Sequence, residues 1–239
     1  MARAAVKNPR GMADIPFQLP EVTTSEKQRA RRIYAALEAA HPDAHCELDY
    51  NTPHELLIAT ILSAQATDVG VNKATPGLFG RFPEPADYAA ASPEAIEPYI
   101  KTIGLFRNKA KSVHAAMTTV VDEFGGEVPR TMDDLLSLRG VARKTANVVL
   151  GNAFQINMGV VVDTHVERLS KRLGLVPDDA NVANVERRLM ALFPREKWCM
   201  LSHLLIFHGR RVCKARHSLC RDDALCRRYC RIGKGEADS

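Results

Sequence analysis

The chain has 239 residues, 46% of them hydrophobic, and Lys plus Arg outnumber Asp plus Glu by 33 to 28 for a net charge of +5. That length is generous for one compact helical domain and comfortable for two small ones, with enough apolar residues to bury a core. No apolar run approaches the ~20 residues of a membrane span, and the basic start M-A-R-A-A-V-K-N-P-R lacks the apolar stretch and cleavage site of a secretory signal. The expectation is a cytoplasmic protein with no membrane partner.

Residues 1–22 carry Pro9, Pro16 and Pro20 without periodicity and read as a flexible N-terminal extension. Thr23-x-x-Glu26 is a capping box that opens a helix towards Ala40. Thr52-Pro53-His54-Glu55 combines an N-cap, a proline at the first helical position and a box glutamate ahead of L-L-I-A-T-I-L-S-A. Ser92-Pro93-Glu94 repeats the cap-then-proline signal, and Lys109 to Phe124 reads as a helix stopped at Gly125-Gly126. Thr131-x-x-Asp134 opens another helix, and Ala142 to Phe154 follows after a turn at Gly140. Asp163 starts a helix that runs to Leu173 and halts at Gly174; further helices cover roughly Val182 to Phe193 and Trp198 to Gly209. Val160-Val161-Val162 is β-branched but too short for a strand, and it has no partner. The fold class is all-α.

Residues 135–149 read as helix, glycine turn, helix. A hairpin of this kind aims the free N–H groups of its second helix at one spot, where they can hold a phosphate oxygen. Arg139 and Arg143 flank the turn. Lys144 lies in the first turn of the second helix, where a cation opposes the macrodipole. An ordinary lysine is neutral in only roughly one molecule in two thousand at pH 7. Desolvation that brought the pKa to about 7.5 would place about a quarter in the nucleophilic form. A plain helical corner with a solvated lysine has the same sequence. Asp163 is equally two-sided: a simple N-cap, or a carboxylate that stabilises positive charge at a sugar carbon and assists deprotonation of Lys144.

Of six cysteines, Cys46 and Cys199 stand apart, while Cys213, Cys220, Cys226 and Cys230 fall within eighteen residues. Without a secretion signal, such clustering favours a metal over disulfides. Four thiolates suit a [4Fe–4S] cluster or a structural Zn²⁺, and the spacing does not choose between them. The same region is basic. Between residues 210 and 234 stand Arg210, Arg211, Lys214, Arg216, Arg221, Arg227, Arg228, Arg231 and Lys234, against Asp222 and Asp223 alone. This is the footprint of a phosphate-backbone partner, or of a solvated tail.

Taken together, these segments resemble the endonuclease III family of helix-hairpin-helix DNA glycosylases. The resemblance runs from about Lys27 to Cys230. It is carried by L-L-I-A-T-I-L-S-A-Q-A-T-D-V-G-V-N-K-A-T (56–75), Y-I-K-T-I-G-L-F-R-N-K-A (99–110), G-E-V-P (126–129), the hairpin with K-T-A-N-V-V-L, V-D-T-H-V, and H-G-R-x-x-C-x-A-R. It implies a two-domain fold. One domain is a six-helix barrel at 47–157 with the hairpin at about 134–154. The other is a cluster domain built from 23–46 plus 158–239, with DNA lying across the cleft between them.

It further implies that Lys144 is the Schiff-base nucleophile and Asp163 the catalytic carboxylate. Gln65 would fill the void of a flipped base, with Leu105 as the wedge beside it. Asp68 and His165 would lie near the pocket, and Arg139, Gly140, Val141, Ala142 and Arg143 would contact DNA. The implied cofactor is a [4Fe–4S] cluster on Cys213, Cys220, Cys226 and Cys230, with zinc as the alternative. The implied partner is double-stranded DNA bearing a damaged base or abasic site, met by a monomer.

The expected activity is bifunctional: removal of oxidised pyrimidines by base excision, then strand cleavage by β-elimination. A monofunctional glycosylase for another lesion or mismatch is the nearest alternative, but such relatives generally carry another residue where Lys144 stands. A catalytically weak damage-binding module and a cluster-based electron carrier are the others; each leaves the lysine idle.

Three departures from the family pattern qualify the resemblance. The hairpin is usually L-P-G-V-G and here is L-R-G-V-A, with Arg139 for the proline and Ala142 for the second glycine. If that position needs positive φ, alanine costs on the order of 1 kcal/mol. The cysteines are spaced x6, x5, x3 rather than x6, x2, x5, which displaces Cys226 and Cys230 and demands a rebuilt loop.

Overall fold

The computed structural model describes residues 15–216 and 218–235. Those residues form twelve α-helices and one 3₁₀ turn at Arg195–Lys197, and no strand occurs among them. No helix among them is long and apolar enough to cross a membrane. The described residues divide into two compact units, one spanning 45–157 and the other joining the residues up to 44 with those from 158 onwards.

The continuous unit is built around α2 (Pro53–Leu62), in which every residue after Pro53 is buried. A helix that is apolar on all sides must be surrounded. Three helices pack on it: α3 (Asp68–Arg81), α6 (Phe106–Phe124) and α8 (Arg143–Ala153). Three shorter segments complete the unit: α4 (Pro85–Ala90), α5 (Pro93–Ile100) and α7 (Met132–Ser137). Thr52 caps α2 by accepting from the Glu55 N–H at 3.3 Å. The expected box closes one residue further back, since the Glu55 carboxylate accepts from Asn51 N–H, not from Thr52. Helices α3 and α4 have no counterpart among the sequence expectations. In α3 the residues Gly70, Pro76, Gly77 and Gly80 interrupt the apolar period, and α4 has only six residues.

The discontinuous unit joins α1 (Thr24–Ala40) to α9 (Thr164–Arg172), α10 (Val182–Leu192), α11 (Trp198–Arg211) and α12 (Ala224–Tyr229). The Thr23–Glu26 capping box forms as expected, with both reciprocal bonds present. Ile33, Leu37, Val166, Leu169, Leu189, Leu201 and Leu205 share one core that runs into the buried cysteines. Within the extension read over 1–22, residues 1–14 lie outside the described residues. Residues 15–22 are not loose. Ile15, Phe17, Leu19 and Val22 pack on this core, Arg187 lies 4.8 Å over the Phe17 ring, and Arg188 donates to Glu21 O at 3.3 Å. The every-other-residue spacing of Ile15, Phe17 and Leu19 is the pattern of an extended segment with one side covered.

The all-round burial of α2 makes its leucines costly to truncate. Leu57→Ala is expected to lower the unfolding free energy by about 2–5 kcal/mol, read as a shift of the urea midpoint at constant m-value.

Candidate functional site

The hairpin forms between α7 and α8. The Thr131 side chain caps α7, accepting from Asp134 N–H at 3.2 Å. The turn closes through Val141 N–H to Leu138 O at 3.1 Å. Gly140 has φ +85°, and a Cβ placed there would sit 3.0 Å from Ser112 Cβ. Glycine is required at this position on both counts. Ala142, by contrast, is the N-cap of α8 with φ −100° and ψ 170°. That is ordinary extended backbone, so the cost anticipated for alanine in place of the family's glycine does not arise. Ala142 also has no side-chain oxygen to cap the helix, so the N–H groups of the first turn of α8 lack the usual internal acceptor. Arg139 and Lys144 are exposed at this turn and Arg143 is half-buried. Because Lys144 is exposed, the chain itself does not bury its amine.

Gln65 and Leu105 have a property that their sequence does not show. Both are non-glycine residues in the left-handed region, at φ 54° and 59°. Each costs about 1–2 kcal/mol relative to right-handed backbone. Both are exposed, Leu105 at 59% of its surface. A large apolar side chain held in strained backbone and presented to solvent does nothing for the core. Such strain collects where function needs a fixed projection.

Asp163 and His165 belong to the other unit. Asp163 is half-buried and is the N-cap of α9, its Oδ1 accepting from Val166 N–H at 2.8 Å. The helix-cap reading is therefore correct, and it leaves the carboxylate free for a second role. His165 lies 3.2 Å through Nδ1 from the Arg168 guanidinium. Burial pushes its pKa down, and Arg168 and Arg210 reinforce this against the opposing pull of Asp163. Asp68 is half-buried at the first position of α3.

Cys213, Cys220, Cys226 and Cys230 are all buried, with their Sγ atoms within 4.8 Å of one another. The rebuilt loop is helix α12, an element absent from the sequence expectations. It carries Cys226 in its first turn and Cys230 as its C-cap, and the i, i+4 spacing puts both sulfurs on one face. Asp223 caps α12 by accepting from Cys226 N–H at 2.8 Å. Gly233 crosses directly over this helix, where a Cβ would sit 2.3 Å from the Cys226 carbonyl carbon.

Two groups that the sequence did not single out reach the sulfurs: Arg172 Nη1 donates to Cys213 Sγ at 3.4 Å, and His208 Nε2 lies 3.2 Å from Cys226 Sγ. The H-G-R-x-x-C segment contained His208, but nothing in its spacing gave the role. Not every cation of the basic segment is available to a partner. Arg211 pairs with Asp43 at 2.8 Å and Arg231 with Asp178 at 2.7 Å, while Lys214, Arg216, Arg221, Arg227 and Arg228 are exposed.

The sequence pattern of the HhH-GPD superfamily of base excision DNA repair proteins matches residues 58–195. Endonuclease III of Synechocystis sp. is 53% identical over 196 residues, which span 82% of this chain and 89% of the relative. The chain belongs to the endonuclease III family. Endonuclease III of Escherichia coli strain K12 is 41% identical over 81% of this chain and 91% of its own length. Among solved structures, a trapped endonuclease III–DNA covalent intermediate, the estranged-adenine complex, superposes with a TM-score of 0.82. It is 46% identical and covers 90% of this chain and 99% of that one. A thermostable thymine-DNA glycosylase, 23% identical with a TM-score of 0.77 over 89% of this chain and 100% of its own, shares the fold.

The backbone geometry separates two substitutions that look alike on paper. Gly140→Ala is expected to cost about 1–3 kcal/mol, from positive φ plus the close approach of Ser112. Leu105→Gly removes an exposed side chain from strained backbone and is expected to leave stability within about 1 kcal/mol of the parent. Parallel chemical denaturation of the two variants checks both.

Proposed function

We propose that this chain is a bifunctional DNA glycosylase and abasic-site lyase that removes oxidised pyrimidines from duplex DNA in base excision repair. The observation that carries the reading is Lys144 itself, exposed in the first turn of α8 directly after the Gly140 turn, in a chain 53% identical to an endonuclease III.

In this reading the hairpin takes a backbone phosphate on the N–H groups at the start of α8, with Arg139 and Arg143 adding charge. The damaged nucleotide is turned out of the stack at a cost of a few kcal/mol. Gln65 and Leu105 occupy the space it leaves, and their left-handed backbone holds them in the projecting conformation before DNA arrives. Bound DNA, rather than the protein interior, excludes water around Lys144. The neutral Nζ attacks the anomeric carbon, the glycosidic bond breaks, and its electron pair leaves with the base. Asp163 stabilises the positive charge that develops on the sugar and receives the proton released by the amine. Loss of a C2′ proton from the resulting Schiff base expels the 3′ phosphate, cutting the strand on the 3′ side of the lesion.

The four buried thiols, with the Arg172 guanidinium donating to one and His208 Nε2 within hydrogen-bond reach of another, fit an all-thiolate centre whose net charge is negative. We assign a [4Fe–4S] cluster to Cys213, Cys220, Cys226 and Cys230; when bound it fastens residues 213–230 and supplies a one-electron couple. The exposed cations of that segment then contact the duplex, and the protein acts as a monomer on DNA within the cytoplasm.

Borohydride reduction of the protein on a duplex carrying one thymine glycol is expected to trap a covalent adduct. Lys144→Ala is expected to bind the same duplex and yield none. Base release without any adduct from the parent would point instead to a monofunctional glycosylase. Binding through phosphates also predicts that affinity falls steeply between about 50 and 200 mM salt, which a salt titration by fluorescence anisotropy measures.

A further inference from the structure

Behind the four thiols, two buried histidines form a chain of hydrogen bonds. His208, on α11, is fully buried, and His41, at the end of α1, is 5% exposed. His41 Nε2 lies 3.0 Å from His208 Nδ1, and His208 Nε2 lies 3.2 Å from Cys226 Sγ. Both ring nitrogens of His208 are thus committed, one to a histidine and one to a cysteine. Two arrangements of the protons satisfy such a chain. A protonated thiol can donate to His208 Nε2, in which case His208 Nδ1–H donates to His41. A metal-bound thiolate has no proton to give, so His208 Nε2–H must donate to it and His208 Nδ1 must accept from His41 Nε2–H.

The second arrangement also accounts for His41 Nδ1, a buried atom with no hydrogen-bond partner. As the bare acceptor nitrogen of a neutral ring, it costs less unsatisfied than a buried N–H would.

We propose that His41 is a positioning residue for the metal centre. By donating Nε2–H to His208 Nδ1 it orients the His208 ring and strengthens the Nε2–H donor that the Cys226 thiolate requires, and through that bond the pair sets the reduction potential of the cluster. The inference rests on the [4Fe–4S] assignment above. A hydrogen bond to a ligating sulfur withdraws electron density from it, so it stabilises the reduced, more negative form and raises the potential. Arg172 makes the equivalent contact on Cys213 and remains in place whatever happens at His41. The effect of His41 is therefore a partial shift and not loss of the centre.

The experiment compares purified, cluster-loaded parent, His41→Leu and His41→Gln, with iron content, absorbance and midpoint potential measured on each. His41→Leu leaves His208 Nδ1 without its donor. Its potential is expected to fall by an amount corresponding to a tenfold change in the reduced-to-oxidised ratio, about 59 mV for one electron. His41→Gln, whose side-chain amide can still donate, is expected to return most of that shift. Equal potentials in all three loaded proteins would overturn the proposal, as would a fall in His41→Gln equal to that in His41→Leu. A parent that takes up zinc and no iron would instead sink the cluster assignment beneath it. If His41→Leu fails to load, His41→Phe, which keeps the ring volume, replaces it in the same comparison.

Discussion

Four sulfurs gathered within 4.8 Å in a buried pocket are not a stable arrangement of charges. Thiolates at that separation repel strongly when little water screens them, and a closed site needs either protons or a cation. The pocket shows how this demand is shared. The thiol of Cys226 is pushed up by its sulfur neighbours, whereas Cys213, hydrogen-bonded by Cys226, Cys230 and Arg172, is pulled down to about 4. Beyond α11 the described chain has only one further helix, the six residues of α12. The rest of that segment is held to the core by its cysteines, by Arg172, and by Arg231 N–H on Arg172 O. The exposed cations of this segment therefore keep a defined geometry only as long as the sulfur site does.

The residues proposed to meet DNA on the other unit depend on backbone rather than charge. Gly140 is where the hairpin needs a residue without a side chain, and Gln65 and Leu105 are where the chain tolerates strain to point a side chain outward. These two devices act in opposite senses. At Gly140 the conformation is easy for the residue and the space is tight; at Leu105 the space is open and the conformation is unfavourable.

Much of this was legible in the amino-acid order, for reasons that can be stated residue by residue. Thr23, Thr52, Thr131 and Asp163 each announced a helix, and each is an N-cap with its side-chain bond made. Capping is a local interaction, so local sequence reports it. The all-α class followed in the same way. Helix α6 was harder to bound, because its start at Phe106 is set by left-handed Leu105 rather than by any capping side chain. The proposed role of Gln65 and Leu105 rests on resemblance, and their backbone was not legible, since nothing in a glutamine or leucine announces positive φ. The Ala142 departure looked costly because a glycine in a family pattern suggests a left-handed residue; here the backbone is extended and any residue fits. The altered cysteine spacing was absorbed by a helix whose i, i+4 geometry was available in the sequence but whose presence depended on tertiary packing. His41 and His208, 167 residues apart, have no local signal that joins them.

The division of the chain has a temporal side. The unit that holds the sulfur site is assembled from both ends of the sequence, with residues 45–157 lying between its parts. On a ribosome the apolar face of α1 emerges first and finds Val166, Leu201 and Leu205 only after well over a hundred further residues. At about 5–20 residues per second that interval is on the order of ten seconds. Residues 45–157 have their complete sequence earlier and can fold as a unit in the meantime. The clustered cysteines follow later still, so the sulfur site completes a domain whose first helix has waited longest. A chain truncated ahead of Cys213 would keep the hairpin and its lysine while leaving α1 without the sulfur site that closes its domain.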